Sequence, residues 1–439
     1  MNPKRILFAT MPLDGHFSPL TGLAVHLHQQ GHDVRWYVGG HYGDRVRKLG
    51  LVHYPCVTAQ VVNQENIDER FPERTRLKGT LARLRFDIDQ LFLRRGPEYA
   101  DDIRAIHHEW PFDLIVYDFA CVGGLFAQKL LGVKGVGMGI VPLSETDDNV
   151  PVSGLGLQPA QSAAGRVMQR LLRRFVQRVL FKPSNDLYNE LRRALGLSAE
   201  PGFLFDSIFR EADLFLQSGV PGFEYPRRHI SPTVRFVGPL LPHRSRQGKP
   251  FVDAERALSH RRVVLVTQGT VERDVEKIIV PTLDAFKNDP NTLVIATTGG
   301  NGTEALRQRY PQPHVLIDDF IDFNAVMPYA NVYVTNGGYG GVMLALQHKL
   351  PIVAAGVHEG KNEIAARIAY CRVGIDLKTE TPKAGAIRRA VETVLTNATY
   401  RQQVRRLSTE FSRYRTNELA VGYLHELLAS VPEPMAVVD

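Results

Sequence analysis

Residues 332–341 read VYVTNGGYGG, a β-prone run that leads into four glycines within six residues. The apolar stretch 342–347 follows, so the pattern predicts a strand, a tight loop and a helix. Glycines at such a junction expose backbone N–H groups at a helix N-terminus, where the helix dipole favours negative charge. Close packing of helix on strand is the alternative use of such glycines, but packing requires fewer of them. We therefore predict an anion site for a diphosphate that needs no metal ion.

Runs of the same β-prone kind recur along the chain and alternate with longer amphipathic stretches. The predicted strands are residues 5–10, 33–38, 114–117 and 133–138 in the first half, and 263–266, 292–297, 315–317, 332–335 and 352–355 in the second. This alternation predicts βα units and a parallel sheet in each half. The expected fold class is therefore α/β.

A polar segment that contains proline and glycine, residues 240–249, interrupts the alternation and reads as an exposed connection. It predicts two α/β domains, residues 1–240 and 241–439, with final helices that are free to cross back to the first domain. Ligands of open parallel sheets bind beyond the carboxyl ends of the strands. Two such domains that face each other are therefore expected to enclose a cleft.

Composition and cysteine usage narrow the class of protein. Of the 439 residues, 44% are hydrophobic and 23% are charged, which is typical of a soluble globular protein. The three cysteines, Cys56, Cys121 and Cys371, show no metal-ligand spacing, which argues against a disulfide framework or a zinc site. The sequence contains no apolar run of about 18 residues that predicts a membrane-spanning helix. We therefore expect a cytoplasmic protein without a bound metal ion.

The formal net charge of +7 raises the question of nucleic-acid binding. The basic residues are scattered and no helix-turn-helix or zinc-finger pattern accompanies them, so we expect an anionic small ligand and no nucleic acid. Within residues 165–181 the arginines are more regular, and they lie near one face of a predicted helix: Arg166, Arg170, Arg173, Arg174 and Arg178. A solvated helix packed on its own domain is the simpler interpretation of this segment. Peripheral contact with anionic lipid is the alternative.

A histidine and an aspartate follow two of the predicted strands. His16 lies in the expected loop between the first strand and the first helix, and Asp118 follows the buried run 113–117. A neutral imidazole at this edge of a sheet can accept a proton from a hydroxyl group near neutral pH. Asp118 could fix the tautomer and stabilise the imidazolium that forms, or it could only cap the next helix. We expect the two residues to act as a base and its partner.

A second strand-to-loop junction, at Gly269 and Thr270, resembles the glycine-rich one. The glycine permits close approach of the backbone, and the threonine hydroxyl can donate to a phosphate oxygen. Neither domain carries the G-x-G-x-x-G pattern after its first strand, and no lysine-serine or lysine-threonine pair ends the glycine run. These absences argue against a nicotinamide dehydrogenase and against a P-loop nucleotide-binding protein.

Taken together, these segments resemble those of a known family. The segments DFIDF (319–323), NGGYGG (336–341) and GVHEGKNE (356–363) are similar to the donor-binding signature of the family-one, UDP-dependent glycosyltransferases, and in particular of bacterial natural-product enzymes. The segment GHFSPL (15–20) resembles the N-terminal catalytic motif of that family. The resemblance implies the GT-B fold, in which two Rossmann-like parallel-sheet domains face a cleft.

The resemblance also implies roles for individual residues. His16 is then the catalytic base and Asp118 its partner, Phe320 stacks on the uracil ring, and the backbone of Ile321 reads the edge of the base. Glu359 orients the hydroxyl groups of the sugar. The diphosphate is then held by Thr270 and the glycine-rich segments, and the residues implied for donor binding beside those already named are Gly15, Gly269, Asn336, Gly338, Gly340 and Gly341.

Several positions depart from the better-known form of the signature, which reads H-C-G-W-N-S and is followed by a ribose-binding glutamate. Asn336 replaces the histidine, Tyr339 the tryptophan and Gly340 the asparagine. Leu344 stands in the position of the glutamate, and Gly360 stands where glutamine often follows the acidic residue. Because most diphosphate contacts in such a site come from the backbone, these changes bear more on the identity of the donor than on activity.

The predicted function is an inverting, metal-independent transfer of a hexose, by resemblance glucose, from a UDP-sugar to a hydroxyl of a small lipophilic or aromatic acceptor. A thymidine-linked donor and other sugars remain open on the sequence. The UDP-sugar is a co-substrate, and no cofactor is expected. Two other functions remain open on the sequence: a sugar-nucleotide epimerase or hydrolase on the same frame, and a catalytically silent regulator that binds nucleotide sugar. The presence of both His16 and Asp118 argues against the silent regulator.

Overall fold

The computed structural model describes residues 2–62, 66–78, 80–244, 251–269 and 272–429, and the strands form two sheets. The strands of the first sheet are β1 (Arg5–Ala9), β2 (Asp33–Tyr37), β3 (Val52–Tyr54), β4 (Leu114–Asp118), β5 (Lys134–Gly139), β6 (Leu214–Ser218) and β7 (Val234–Gly238). Their order is β3-β2-β1-β4-β5-β6-β7, and neighbouring strands pair in parallel.

The second sheet belongs to the second half of the chain. Its strands are β8 (Arg262–Thr267), β9 (Thr292–Thr297), β10 (Val315–Asp318), β11 (Val332–Thr335), β12 (Ile352–Ala354) and β13 (Gly374–Asp376). Their order is β10-β9-β8-β11-β12-β13, again with parallel pairing. In both sheets the strand order reverses beside the first strand, at β1 and β4 in one and at β8 and β11 in the other. Crevices at such reversals are where open parallel sheets bind ligands.

Helices cover both faces of each sheet. Those of the first half are α1 (Asp14–Phe17), α2 (Thr21–Gln29), α3 (Tyr42–Lys48), α4 (Ile67–Arg70), α5 (Glu73–Arg76), α6 (Thr80–Asp87), α7 (Gly96–Glu109), α8 (Val122–Leu131), α9 (Ala163–Phe175), α10 (Lys182–Ala194) and α11 (Ser207–Glu211). Those of the second half are α12 (Ala254–Ser259), α13 (Ile279–Phe286), α14 (Thr303–Arg309), α15 (Phe323–Val326), α16 (Tyr339–Gln347), α17 (Lys361–Tyr370), α18 (Ala384–Thr396), α19 (Ala398–Phe411) and α20 (Thr416–Ala429). Wider helical turns at Ile88–Leu93 and Val176–Leu180 continue α6 and α9.

The sequence of β1 illustrates why these sheets are buried on both faces. Ile6 and Phe8 point into one hydrophobic cluster, while Leu7 and Ala9 point into another, because successive side chains of a strand alternate between faces. All four side chains are fully buried. A strand covered on both faces therefore reads as a continuous apolar run, as the central parallel strands here do.

The last helix does not stay with the second sheet. Ala420, Val421 and Leu424 of α20 lie in the same hydrophobic cluster as Ile6 and Phe8 of β1. The C-terminal helix thus packs on the first half of the chain. The division into domains at residues 240 and 241 stays a prediction.

A buried ion-pair network joins the two halves. Arg367 of α17 is 2% exposed, and its Nε donates to Oε2 of Glu224 at 2.7 Å. The Nη1 atom of Arg367 donates to Oε2 of Glu363 at 3.1 Å, and the guanidinium lies 4.3 Å from the ring centre of Tyr225. Glu224 also accepts the backbone N–H of Leu143 at 2.9 Å. Helix α17 is thereby fixed against the loops that follow β5 and β6.

The nine predicted strands agree with β1, β2, β4, β5, β8, β9, β10, β11 and β12 to within one residue at either end. Strands β3, β6, β7 and β13 were not predicted, and two of them, β3 and β13, are only three residues long. The predicted exposure of residues 240–249 is wrong at its start, because Leu240 is buried and its N–H donates to the Ser218 hydroxyl at 3.1 Å. Residues 245–250 lie outside the described part of the chain. Among the described helices, none is both long and apolar enough to cross a membrane.

The Arg367 network predicts a large effect of one substitution on stability. Arg367→Met keeps most of the side-chain volume but leaves the Glu224 carboxylate buried without its cation, so the free energy of unfolding should fall by about 3–5 kcal/mol. Urea unfolding followed by circular dichroism measures this loss. The exposed Arg389 of α18 provides a matched control, since Arg389→Met should change the stability by less than about 0.5 kcal/mol. Equal unfolding midpoints for the two variants would contradict the role given to the network.

Candidate active site

The two residues predicted to act as base and partner lie at the carboxyl edge of the first sheet. Asp118 is the last residue of β4, and His16 follows β1, the strand next to it. The predicted loop position of His16 is wrong in detail, because the residue lies within the short helix α1. The N–H groups of His16 and Phe17 both donate to the carbonyl of Leu13 at 2.9 Å, so the chain turns helical four residues after the strand ends. This places the imidazole above the point where the strand order reverses.

The imidazole of His16 and the carboxylate of Asp118 are in direct contact. Nδ1 of His16 lies 2.8 Å from Oδ1 of Asp118, whose side chain is fully buried. The same carboxylate accepts the backbone N–H groups of Met11 at 2.7 Å and Ala120 at 2.9 Å. Since an ionised carboxylate only accepts hydrogen bonds, Nδ1 carries the hydrogen and Nε2 keeps a lone pair. The pair is therefore arranged so that Nε2 can take up a proton.

Aromatic rings surround this imidazole. The ring of Phe119 stacks on His16 with centres 5.8 Å apart, and Phe92 lies 6.4 Å away. The imidazole itself retains 17% of its side-chain exposure. The sequence analysis missed Phe119, although its position directly after Asp118 could have indicated it. The surroundings of the base suit a hydroxyl group carried on an apolar, ring-containing molecule.

Arg45 of α3 fixes the short helix that carries His16, and the sequence analysis missed it as well. Its guanidinium pairs with Asp14 and donates to the Ser18 hydroxyl at 2.8 Å, so it contacts α1 at its start and beyond its end. The guanidinium also lies 4.9 Å from the ring centre of Phe17. A four-residue helix is not stable on its own, and these contacts compensate for that. Gly15, on the same turn, is exposed, and a Cβ there would meet nothing within 4 Å.

The glycine-rich segment after β11 forms a loop and a helix start, but the division differs from the prediction. Helix α16 begins at Tyr339, so only Gly337 and Gly338 lie between strand and helix, and Gly340 and Gly341 belong to the first turn. A side chain at Gly340 would meet nothing within 4 Å, whereas one at Gly341 would come 2.7 Å from the Tyr333 hydroxyl. Gly341 is therefore required for packing on the strand, while Gly340 leaves the helix N-terminus open.

The first turn of α16 presents backbone N–H groups. Those of Tyr339, Gly340 and Gly341 have no acceptor within the helix, as in the first turn of any α-helix. The side chain of Asn336 organises the loop before them: Nδ2 donates to the carbonyl of Gln268, and Oδ1 accepts the N–H of Gly338 at 3.3 Å. Asn336 is 7% exposed, so its amide mainly connects the loops after β8 and β11.

The loop after β8 meets this helix start. Gly269 has a φ of 78°, a left-handed conformation that favours glycine, and a Cβ on it would lie 3.5 Å from the Asn336 amide. Gly269 follows β8 as Asn336 follows β11, so both lie where the strand order of the second sheet reverses. Thr270, the predicted phosphate donor, lies outside the described residues.

A third loop, after β12, completes the group. Glu359 holds a φ of 56°, a conformation that a residue with a side chain rarely adopts and that often marks a functional site. Its carboxylate pairs with Nζ of Lys361 at 2.7 Å. The carbonyl oxygen and Cβ of Lys361 lie 3.6 and 3.8 Å from the position of a Cβ on Gly337. Lys361 lies in the segment GVHEGKNE (356–363), and the sequence alone assigns it no role. The structure places it beside Gly337, in the loop after β11.

Charged side chains fix the loop after β12 through hydrogen bonds and ion pairs. Glu380 accepts the N–H of His358 at 3.1 Å, and Lys277 lies 3.5 Å from Glu380 and also pairs with Glu272. Burial acts to raise the pKa of Glu272, but the hydrogen bond from Lys277 and the nearby charge of Lys361 outweigh it and hold the pKa below its usual value. The Lys361 ammonium thus pairs with Glu359 and acts electrostatically on Glu272, so it connects the loops after β12 and β8.

The residues predicted to read the base lie on the loop after β10. The side chain of Phe320 is 76% exposed, although it is large and aromatic, and Ile321 next to it is partly buried. The carbonyl of Asp319 accepts the N–H of Gly299 at 2.8 Å, which fixes this loop to the one after β9. Leu344 is buried in the hydrophobic core of α16 and offers no polar group at the position where the family has a glutamate.

The start of α16 contacts the carboxyl edge of the first sheet across the junction of the halves. The hydroxyl of Tyr339, the first residue of α16, donates to the carbonyl of Ser218 at the carboxyl end of β6 at 2.8 Å. Strand β6 belongs to the same sheet as β1 and β4, so this contact joins the start of α16 to the sheet at whose carboxyl edge His16 and Asp118 lie. In the described part of the chain, three or more acidic, histidine or cysteine side chains nowhere cluster in a way that could hold a metal ion.

Comparison with known proteins is consistent with this geometry. The family model described as UDP-glucoronosyl and UDP-glucosyl transferase matches residues 152–414. A 4'-demethylrebeccamycin synthase of Lentzea aerocolonigenes is 34% identical over 410 residues, which cover 93% of this chain and 96% of the relative. UDP-glucosyltransferase A1 of Starmerella bombicola is 26% identical over 430 residues, which cover 96% of this chain and 92% of the relative.

Solved structures share the fold at lower identity. A calicheamicin glycosyltransferase superposes with a TM-score of 0.73 at 20% identity, covering 99% of this chain and 100% of the other. The glycosyltransferase of kitacinnamycin gives a TM-score of 0.73 at 17% identity, with 97% and 99% covered. These likenesses identify the architecture as the two-domain GT-B fold, as the sequence predicted. With the family match over more than half of its length, the chain belongs to the family of UDP-dependent glycosyltransferases.

Proposed function

We propose that this protein transfers a hexose, glucose by preference, from a UDP-sugar to a hydroxyl of a small lipophilic or aromatic natural product, with inversion at the anomeric carbon. The observation that carries the proposal is the hydrogen-bonded His16–Asp118 pair, which lies across the domain junction from the open N-terminus of α16. One side can remove a proton, and the other can receive negative charge. A group transfer from a nucleotide sugar requires both.

The proposed reaction is a direct displacement. Nε2 of His16 takes the proton of the acceptor hydroxyl while that oxygen forms a bond to the anomeric carbon. The bond from the anomeric carbon to the β-phosphate oxygen breaks, and its electron pair leaves with UDP. Asp118 stabilises the imidazolium, and the N–H groups of the first turn of α16 stabilise the charge that develops on the diphosphate. The opposite directions of attack and departure account for inversion.

Lys361 is proposed to supply the positive charge that Asn336 lacks. A histidine at position 336 could carry charge, but an amide cannot, and the amide of Asn336 already holds the two loops together. The Lys361 ammonium extends from a residue that adjoins Gly337 and contacts Glu359, the proposed reader of the sugar hydroxyls. A charge-assisted hydrogen bond from this ammonium to the diphosphate is stronger than a neutral one. In this mechanism no metal ion is needed to neutralise the charge of the leaving UDP.

The acceptor is proposed from the rings around the base. Phe119 and Phe92 border His16, and such rings favour a flat or lipophilic molecule over a polar sugar. Similar proteins, which include a 4'-demethylrebeccamycin synthase and a calicheamicin glycosyltransferase, support a natural product as the acceptor.

The role of His16 predicts a selective loss of turnover. His16→Ala should lower kcat by about 10²- to 10⁴-fold, because the acceptor hydroxyl loses its general base, while the Kd for UDP should change by less than about twofold. Formation of the glycoside from UDP-glucose and a panel of phenols, followed by chromatography, measures the first effect, and calorimetry the second. His26, on the helix that follows, provides a control, since His26→Ala should leave kcat nearly unchanged. If His16→Ala kept normal turnover, His16 would have no place in the mechanism.

The role of Lys361 predicts weaker donor binding. Lys361→Gln should raise the Kd for UDP by about 10-fold or more, because a charged donor to the diphosphate becomes neutral. The exposed Lys383 at the start of α18 is the control, since Lys383→Gln should leave this Kd unchanged. A Lys361→Gln protein that binds UDP like the original chain would exclude the ammonium from the diphosphate site.

The apolar side chain at position 344 predicts poor discrimination against deoxyribose. Since Leu344 cannot accept a hydrogen bond from the 2'-hydroxyl, UDP and 2'-deoxy-UDP should bind with Kd values within about 10-fold of each other. Competition of each nucleotide against UDP-glucose turnover measures the ratio. A preference for UDP of about 100-fold or more would mean that another group reads the 2'-hydroxyl.

A further inference from the structure

Helix α9 and its continuation, residues 163–180, present two exposed rows of opposite chemistry that the transfer reaction does not use. One row consists of Val167, Leu171, Phe175 and Val179, each four residues apart. With Met168 beside them, these side chains are between 52% and 65% exposed. The neighbouring row, also four residues apart, consists of Arg166, Arg170, Arg174 and Arg178, all exposed. We call these nine residues the basic-apolar surface.

The orientation of the basic-apolar surface is fixed by the opposite face of the helix. Val176 is buried in the core of the first half, and Leu172 packs against the same cluster. Arg173 is buried and donates to Asp148 at 3.1 Å and to the carbonyl of Val150 at 2.8 Å. The sequence analysis grouped Arg173 with the other arginines, and this was wrong because its guanidinium turns inward to these acceptors. The helix therefore cannot rotate to bury its apolar row.

The charge on this surface is unbalanced. Residues 163–180 contain no aspartate or glutamate. Among the described residues, Arg166, Arg170, Arg174 and Arg178 form no ion pair within 4.0 Å, although Arg166 donates to the carbonyl of Gln161. An exposed row of four large apolar groups next to four unpaired cations is costly to keep in water unless it serves an interface.

We propose that the basic-apolar surface docks the protein on an anionic phospholipid bilayer. A helix with bulky apolar side chains on one face and arginines beside them lies in the interface plane, where the apolar groups enter the acyl boundary and the cations meet phosphate groups. A second copy of this chain fits less well, because pairing two such surfaces face to face brings two rows of arginines together. The attachment is peripheral and adds to the transferase activity without changing its chemistry.

Vesicle co-sedimentation of the full chain tests the proposal. The protein should sediment with vesicles that contain phosphatidylglycerol and not with pure phosphatidylcholine, and added salt should release it. Arg170→Gln/Arg174→Gln should lower the partition coefficient by about 30-fold. Leu171→Ser/Phe175→Ser should lower it by about 100-fold or more, because the apolar contribution is lost.

Matched variants separate the surface from general effects of charge and hydrophobicity. Arg401→Gln/Arg405→Gln removes two exposed arginines four residues apart on α19, and Leu258→Ser removes an exposed leucine on α12. Both should sediment like the original chain, and all variants should retain UDP binding as evidence of folding. Absence of sedimentation with phosphatidylglycerol vesicles, or equal losses in the matched variants, would overturn the proposal. A dimer that dissociates in Leu171→Ser/Phe175→Ser without any vesicle binding would overturn it in favour of a second copy.

Discussion

The buried contact between Arg367 and Glu224 is the interaction on which the geometry of the cleft depends. It links a helix of the second half to the loop after β6 of the first, and Leu143 and Glu363 join it from either side. Buried ion pairs contribute little net stability, because both ions lose their water, but a partner left alone is strongly unfavourable. The network therefore acts chiefly to fix the register between the halves. The hydrogen bond from the Tyr339 hydroxyl to the Ser218 carbonyl holds the start of α16 to the first half as well.

The candidate donor site rests on backbone more than on side chains. Gly337 and Gly269 adopt positive φ values, and Gly340 leaves the first turn of α16 uncovered. Because backbone N–H groups are the proposed hydrogen-bond donors to the diphosphate, the side chains around them can vary. The side chain of Asn336 joins the loops after β8 and β11. Lys361, from the loop after β12, lies where its ammonium can provide positive charge. The family signature can thus change at several positions while the physical requirements of an anion site persist.

The base side of the cleft depends on side-chain contacts instead. Asp118 is fixed by two backbone N–H groups and in turn fixes the tautomer of His16. Arg45 holds the short helix through Asp14 and Ser18. These groups come from three separate stretches of the chain, so the position of one imidazole requires much of the first half to be folded. Strand β4 carries Asp118 at its carboxyl end, and the short helix after β1 carries His16.

The sequence alone determined the α/β class and nine of the strands, because buried parallel strands and glycine turns leave local patterns. The GT-B architecture and the segments of the candidate donor site followed from the resemblance of those segments to a known family. The sequence could not reveal β6, β7 or the short edge strands, whose patterns are weak or resemble a linker. It also could not distinguish the packing role of Gly341 from the openness of Gly340, or the inward turn of Arg173 from its exposed neighbours. The positions of Phe119, Arg45 and Lys361 in the candidate site are seen only in contacts between segments far apart in the chain. Such contacts depend on how the halves pack, and packing is decided by the tertiary structure.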